Sequence, residues 1–127
     1  MPPGKLTPVP AKPLPIFIGG HSDAAFKRAA RFDGFMFAGG GPDELAGPIA
    51  AIQAAREEAG TCDRPFRIFA TAMGDFSPDM IKRMEDLGVT DMPVAFRNLY
   101  AVEEDSQPLA DKIDDMKRFA DTVIAKA

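Results

Sequence analysis

Two adjacent glycines followed by polar residues, Gly19, Gly20, His21 and Ser22, form the part of the sequence best suited to bind a ligand. Glycine has no Cβ, so a ligand can come close to the backbone N–H groups. Ser22 is a typical helix N-cap, and the free N–H groups at a helix start attract anions. The pattern predicts a phosphate-binding turn between a strand and a helix. A strand-to-helix turn that binds nothing has the same residue types, so this alternative stays open.

A second glycine cluster, residues 39–41, follows the next apolar segment, residues 35–38. The carboxyl ends of parallel strands meet at one edge of a sheet, so Gly39 and Gly40 are candidates to line the same pocket. An ordinary glycine-rich connection is the commoner origin of such a cluster. His21 would add positive charge beside an anion when protonated, although an exposed turn histidine needs no such role.

Other catalytic or metal-binding patterns are absent from the sequence. One histidine and one cysteine, Cys62, argue against a His/Cys metal cluster. No nucleophile elbow and no Ser–His–Asp order is present. Arg97 and Tyr100 follow the last apolar segment and are weaker candidates to face the site. A ring system could stack on several phenylalanines, although aromatic residues at strand positions usually belong to the core; these are Phe35, Phe37, Phe69 and Phe96.

Strand-like and helix-like segments alternate four times along the chain. Period and turn residues predict strands at 15–19, 35–38, 66–73 and 89–96, and helices at 22–31, 43–59, 78–88 and from Ser106 or Gln107 onward. Pro48 lies inside the second helical pattern, so its first turn is either separate or the helix begins near Gly47. Asp91 and Pro93 make the last strand short or irregular. Such alternation is typical of parallel βα units.

Composition excludes several classes of protein. A chain of 127 residues that is 46% hydrophobic suits one globular domain. A net charge of −4 argues against nucleic acid as a partner, because no basic stripe is present. No apolar run approaches the ~20 residues of a membrane helix, and no signal-peptide pattern is visible. The single cysteine is typical of a reducing compartment, so we expect a cytoplasmic protein.

Residues 12–35 resemble the bacterial luciferase-like monooxygenase family, whose members use flavin or a deazaflavin coenzyme. The shared pattern is a proline-rich lead, a strand ending in two glycines, a Ser and Ala helix start, an Arg-Ala-Ala helix and an Asp-Gly-aromatic strand. In this sequence it reads Pro13-Leu14-Pro15, Ile16-Phe17-Ile18-Gly19-Gly20, Ser22-Asp23-Ala24-Ala25, Arg28-Ala29-Ala30 and Asp33-Gly34-Phe35.

The expected fold is α/β and half of a TIM (β/α)8 barrel. Four parallel βα units would be formed by residues 15–127, after a proline-rich extended lead at residues 1–14. The resemblance implies that these are the fifth to eighth units of the barrel. An open half-barrel would expose its inner face and two strand edges. We therefore expect a homo-oligomer, with a dimer the commonest outcome. The alternatives are a separately encoded N-terminal half-barrel as partner, or rearrangement of the chain into an open sandwich.

The resemblance implies that Gly19, Gly20, His21 and Ser22 hold the phosphate of FMN or of a deazaflavin coenzyme, with residues 39–40 nearby. It implies no catalytic residue, because the family's ring and substrate contacts come largely from the first four units. The predicted function is therefore an oxidoreductase fragment that carries the cofactor-phosphate end and lacks turnover alone. The alternatives are a non-catalytic chain that only self-associates, and another phosphate-binding half-barrel that acts on sugar or nucleotide phosphates.

Overall fold

The computed structural model describes residues 9–71, 76–96 and 101–126. These ranges contain three β-strands, four α-helices and a short 3-10 helix at Ile124–Lys126. In chain order the elements are β1 (Phe17–Gly19), α1 (Asp23–Ala29), β2 (Gly34–Phe37), α2 (Pro42–Ala59), β3 (Arg67–Ala70), α3 (Pro78–Asp86) and α4 (Leu109–Thr122).

The three strands form one parallel sheet in the order β1-β2-β3. The register places Ile18 beside Phe35 and Phe35 beside Ile68. Since side chains alternate between the two faces of a sheet, these three apolar residues share one face. Phe17 and Arg67, on either side of Gly34, belong to the opposite face.

Helices cover the face that carries Phe35 and Ile68. Both side chains are fully buried, as are Ile52 of α2 and Met84 of α3. The buried cluster draws on α1, α2 and α3 as well as on the strands; its members are Phe26, Ala29, Phe35, Phe37, Leu45, Ile49, Ile52, Ile68, Ala70, Met84 and Val89. The apolar stripes of the predicted helices therefore meet the apolar face of the sheet.

Helix boundaries follow the capping residues. Ser22 accepts a hydrogen bond from the backbone N–H of Ala25 at 3.3 Å, and Ser77 accepts one from the backbone N–H of Met80 at 3.3 Å.

Pro48 does not divide α2, which runs without interruption from Pro42 to Ala59. A separate first turn and a helix start near Gly47, the two alternatives left by the sequence, are therefore both wrong.

The prediction of a half-barrel with four parallel βα units is wrong. The described residues form three strands, and the segment predicted as the fourth strand contributes only one isolated parallel bridge, between Asp91 and Phe69. The Ile68 N–H donates to the side-chain oxygen of Thr90 at 2.9 Å, where a strand would have supplied a carbonyl. Pro93 then lacks the N–H that a continuing ladder requires. Pairing therefore stops after one bridge, inside the strand that the sequence predicted to be short or irregular.

The face of the sheet opposite the helices carries a small aromatic group. The rings of Phe17 and Phe69 meet edge to face with centroids 4.8 Å apart. The Arg67 guanidinium lies 4.8 Å from the centre of the Phe69 ring and 5.8 Å from that of Phe17. Met36 stands on the same face and is 47% exposed. This surface, Phe17, Met36, Arg67 and Phe69, is called the open face below.

A buried arginine holds the loop after α2. Arg56 is buried, and its Nη2 donates to the carbonyl oxygens of Thr61 at 2.8 Å and Arg64 at 2.7 Å. The guanidinium also lies 4.5 Å from the centre of the Phe66 ring. Backbone carbonyls and the Gln53 side-chain oxygen accept hydrogen bonds from this cation, which forms no ion pair with a carboxylate among the described residues. The Arg56 side chain therefore reinforces the attachment of this loop to α2, which the bond from the Thr61 N–H to the Arg56 carbonyl oxygen also provides.

The last helix lies apart from the main core. None of the residues of α4, all of which the structure describes, is buried. Phe119 connects this helix to the rest of the chain through edge-to-face contacts with Phe76 and Phe96. Lys112 forms an ion pair with Asp105 at 2.7 Å. The helix is thus held mainly by aromatic contacts and surface pairs.

Candidate functional site

Two turns stand side by side at one edge of the sheet. β1 and β2 are parallel neighbours, so the turn after Gly19 and the turn after Phe37 lie at the same edge. Each turn leads into a helix, α1 from the first and α2 from the second. This edge is where ligands bind in open α/β sheets.

The first turn owes its glycine to backbone conformation. Gly20 has φ of +134°, a value that residues with a Cβ rarely adopt. A Cβ at this position would also lie 2.9 Å from the Cβ of Ala25. The hydroxyl of Ser22 caps α1. Geometry alone therefore requires a glycine here, whether or not a ligand binds.

The second turn is organised by a carboxylate. Gly40 has φ of +123°, and a Cβ there would lie 3.0 Å from Leu45. Gly41 is the N-cap of α2, and its N–H donates to Glu44 Oε2 at 2.9 Å. A Cβ on Gly39 would meet only the Thr71 carbonyl oxygen, at 3.8 Å. Gly39 therefore leaves open space, and so does Gly41, whose Cβ position has no atom within 4 Å.

A cleft of about 200 Å³ lies between the two turns. Its polar rim is formed by His21, Gly39, Gly40 and Glu44, and its apolar floor by Phe26, Phe37, Leu45 and Pro48. The structure thus brings together three of the six predicted site residues, His21, Gly39 and Gly40. Gly19, Gly20 and Ser22 belong to the adjoining turn and do not line this cleft.

Two side chains at the rim, His21 and Glu44, would have opposite effects on a bound anion. His21 lines the cleft as an exposed residue, and Glu44 lines it as well while its carboxylate accepts the capping bond of α2. A bound anion would meet a histidine that can carry positive charge and a carboxylate that repels it. Sequence reasoning missed Glu44. The signal for it was a glutamate three residues after Gly41, at the N3 position of a capping box.

The other sequence candidates occupy different places. Phe35 and Phe37 are buried in the core, and Phe69 packs against Phe17. Asp33 accepts a hydrogen bond from the Ile16 N–H at 2.8 Å and so fastens the start of β1 to β2. Arg97 and Tyr100 lie outside the described residues, as do the first eight residues of the proline-rich lead and Met73 at the end of the third predicted strand.

Within the described ranges, no group of three His, Cys, Asp or Glu side chains could hold a metal ion. None of the helices there is long and apolar enough to cross a membrane. The Cys62 thiol is free and exposed.

The chain is similar to uncharacterized proteins of Mycobacterium bovis and of two strains of Mycobacterium tuberculosis. Each is 49% identical over 126 residues, which make up 99% of this chain and 43% of the relative. The chain therefore spans less than half the length of these curated relatives. No family model and no solved structure matches the chain.

Proposed function

We propose that the cleft between the two turns binds the phosphate of FMN or of a deazaflavin coenzyme, as part of a luciferase-like, flavin-dependent oxidoreductase. The observation that carries the proposal is the meeting of His21, Gly39 and Gly40 at the carboxyl edge of a parallel sheet. The resemblance of residues 12–35 to the luciferase-like family supports the choice of cofactor.

The size of the cleft supports a phosphate rather than a whole cofactor. Pockets for complete drug-sized ligands usually measure about 300–1,000 Å³, and this one measures about 200 Å³. In the proposed complex, His21 supplies positive charge, and the backbone N–H groups of Gly39 and Gly40 donate to phosphate oxygens. The flavin, when bound, supplies the redox chemistry, and this chain supplies the seat for its phosphate.

Glu44 sets the strength of the proposed site. Its carboxylate repels a phosphate, and the same carboxylate accepts the capping bond of α2 from the Gly41 N–H. A glutamine can make the same capping bond without the charge. The variant Glu44→Gln therefore separates electrostatic repulsion from helix stability.

Titration of FMN fluorescence tests the proposal, with riboflavin as the matched ligand that lacks phosphate. We expect FMN to bind more tightly than riboflavin, and inorganic phosphate to compete with it. Glu44→Gln should strengthen FMN binding about fivefold, the effect of removing one like charge near the surface. His21→Ala should weaken FMN binding and leave riboflavin binding unchanged.

Gly39→Leu is the variant that blocks the cleft. Its backbone conformation accepts a side chain and its Cβ position is open, whereas a bulky residue at Gly20 would strain the turn itself. We expect Gly39→Leu to abolish the advantage of FMN over riboflavin. Equal binding of the two flavins to the unmodified protein, or FMN binding unaffected by Gly39→Leu, would contradict the proposal.

The chain on its own is proposed to bind the cofactor without turnover. Its curated relatives are more than twice as long as the matched segment, since that segment covers 43% of each of them. In the luciferase-like family that residues 12–35 resemble, the contacts to the flavin ring and the substrate come largely from another part of the protein. A cytoplasmic location is proposed with this function, on the evidence of one exposed, free cysteine.

A second candidate function, self-association into a homo-oligomer, is supported by the open face. Among the described residues, the helices pack on the other face of the sheet, and the open face carries the exposed Met36 beside two phenylalanine rings. Sedimentation of the unmodified chain and of Met36→Glu tests it. A dimer that dissociates in Met36→Glu supports the candidate, and a monomer at all concentrations contradicts it.

A further inference from the structure

A second and larger cleft, of about 590 Å³, lies between the start of α3 and the last turns of α4. Its apolar walls come from Phe76, Phe96 and Phe119, and Asp115 and Arg118 stand among its polar residues. It shares no lining residue with the cleft that contains His21. The volume is within the range of about 300–1,000 Å³ that is usual for sites of small ligands.

The aromatic walls leave ring surface free for a ligand. Phe119 meets Phe76 edge to face at 5.2 Å between centroids, and meets Phe96 in the same way at 5.7 Å. Phe96 is 44% exposed although it takes part in this cluster. Rings prefer offset-stacked or edge-to-face partners at such distances, so a planar group can join the cluster.

The polar side of the cleft favours an anion. Asp115 is already paired through both oxygens, because Oδ1 lies 3.1 Å from Arg118 Nη2 and Oδ2 accepts a hydrogen bond from Gln107 Nε2 at 2.8 Å. Arg118 presents five N–H donors and is 69% exposed. The ion pair with Asp115 engages one of its nitrogens. The guanidinium can therefore bind a second anionic acceptor, while the carboxylate is occupied.

We propose that this cleft binds a small planar aromatic molecule that carries an anionic group. The ring would pack among Phe76, Phe96 and Phe119, and the anionic group would meet Arg118 at the rim. The site is separate from the phosphate cleft, so a molecule can occupy either one independently.

Calorimetric titration with naphthoate tests this site, with two matched probes beside it. Naphthamide keeps the ring and lacks the charge, and cyclohexane carboxylate keeps the charge and lacks the aromatic ring. We expect naphthoate to bind more tightly than both. Equal binding of naphthoate and naphthamide, or no heat from naphthoate, would overturn the proposal.

Two neighbouring cations of α4 provide the matched variants. Lys117 is as exposed as Arg118, at 70%, and pairs with Asp114 as Arg118 pairs with Asp115. Lys117 does not line the cleft. Arg118→Gln should weaken naphthoate binding about tenfold, the loss of one charge-assisted hydrogen bond, and should leave naphthamide binding unchanged. Lys117→Gln should change neither, and equal losses in both variants would mean non-specific attraction only.

Phe96→Ala tests the ring contact, because Phe119 of α4 keeps its contact with Phe76 when Phe96 is removed. We expect it to weaken binding of naphthoate and naphthamide alike, with an unchanged circular dichroism spectrum. His21→Ala should leave naphthoate binding intact. A loss of naphthoate binding in His21→Ala would place the ligand in the other cleft and overturn the assignment.

Discussion

Arg67, on β3, binds both carboxylate oxygens of Asp91 with two of its nitrogens. The Nε–H donates to Oδ2 at 2.9 Å, and Nη2 bonds to Oδ1. The hydroxyl of Thr90 donates to the same Oδ2 at 2.6 Å. Because Asp91 is the residue of the isolated bridge to β3, this ion pair fastens the chain at the place where the fourth predicted strand stops.

This pair predicts a specific response to acid. Hydrogen bonds from Arg67, and secondarily from Thr90, hold the pKa of Asp91 below its usual value against the opposing effect of burial. The pair therefore stabilises the fold above about pH 4, the ordinary pKa of aspartate, and this stability is lost as pH falls through the lowered pKa. Asp91→Asn should be less stable near pH 7 and should lose less of its stability on acidification.

Urea unfolding between neutral and acidic pH measures this effect. The matched control is Asp86→Asn, which removes an exposed carboxylate from an i,i+4 pair with Lys82 and should change the neutral stability little. If Asp91→Asn loses stability on acidification as steeply as the unmodified chain, the ion pair has no such role.

Gly34 is expected to tolerate no side chain. A Cβ there would collide with the Phe17 ring and with the Arg67 carbonyl oxygen. Overpacking of this kind costs about 1–3 kcal/mol, so Gly34→Ala should lower the free energy of unfolding by that amount. Gly39→Ala is the control and should change it by less than about 0.5 kcal/mol. Denaturant unfolding of both variants measures the difference. Equal stability of the two variants would contradict the predicted collision at Gly34.

Arg56→Lys should be costly although the charge is kept. Lysine replaces a planar fork by one ammonium group, which cannot reach the Thr61 and Arg64 carbonyls and stack on Phe66 together. We expect a loss of about 2 kcal/mol, the range for hydrogen bonds to a charged group. Arg83→Lys, at an exposed pair with Asp43, should cost less than about 1 kcal/mol. Thermal unfolding compares them, and similar melting points would contradict the anchoring role.

Thr90→Val should destabilise the protein, because the Thr90 side chain accepts the hydrogen bond that a neighbouring strand would otherwise accept. The Ile68 N–H donates to the Thr90 hydroxyl oxygen, and valine offers no acceptor. Leaving a partly buried N–H unpaired costs about 1–3 kcal/mol. Thr90→Ser keeps the oxygen and should be much closer to the unmodified protein. Faster amide exchange at Ile68 in the valine variant alone is the expected signature.

Much of the local structure could be predicted from the sequence, because the spacing of apolar residues and the helix-capping residues are local signals. The strands that became β1 to β3 and the helix that starts at Pro78 were expected within a few residues. The fourth strand failed because a threonine hydroxyl took the place of a backbone acceptor, and Pro93 offered no N–H. The irregularity caused by Pro93 can be predicted from the sequence, whereas the role of the Thr90 hydroxyl cannot, because it depends on a tertiary contact with Ile68.

The candidate site was predictable only in part, for a different reason. The two glycine clusters could be expected at one edge of the sheet, because the carboxyl ends of parallel strands lie at the same edge. Glu44 and the aromatic cleft depend on tertiary contacts, such as that of Phe119 with Phe76, which no short spacing encodes. Gly20 shows the limit most clearly, since its positive φ requires glycine with or without a ligand.

The attachment of α4 through Phe119 has a consequence for how the chain opens. A helix with no buried residue contributes little to the free energy that holds the sheet together, so it can detach while the strands remain paired. Amide hydrogens of α4 would then exchange by a low-energy local opening, and those of α2 only by global unfolding. A compound that binds between Phe96 and Phe119 would stabilise the attached state of α4. It would therefore slow this local opening, and a tighter-binding compound would slow it more.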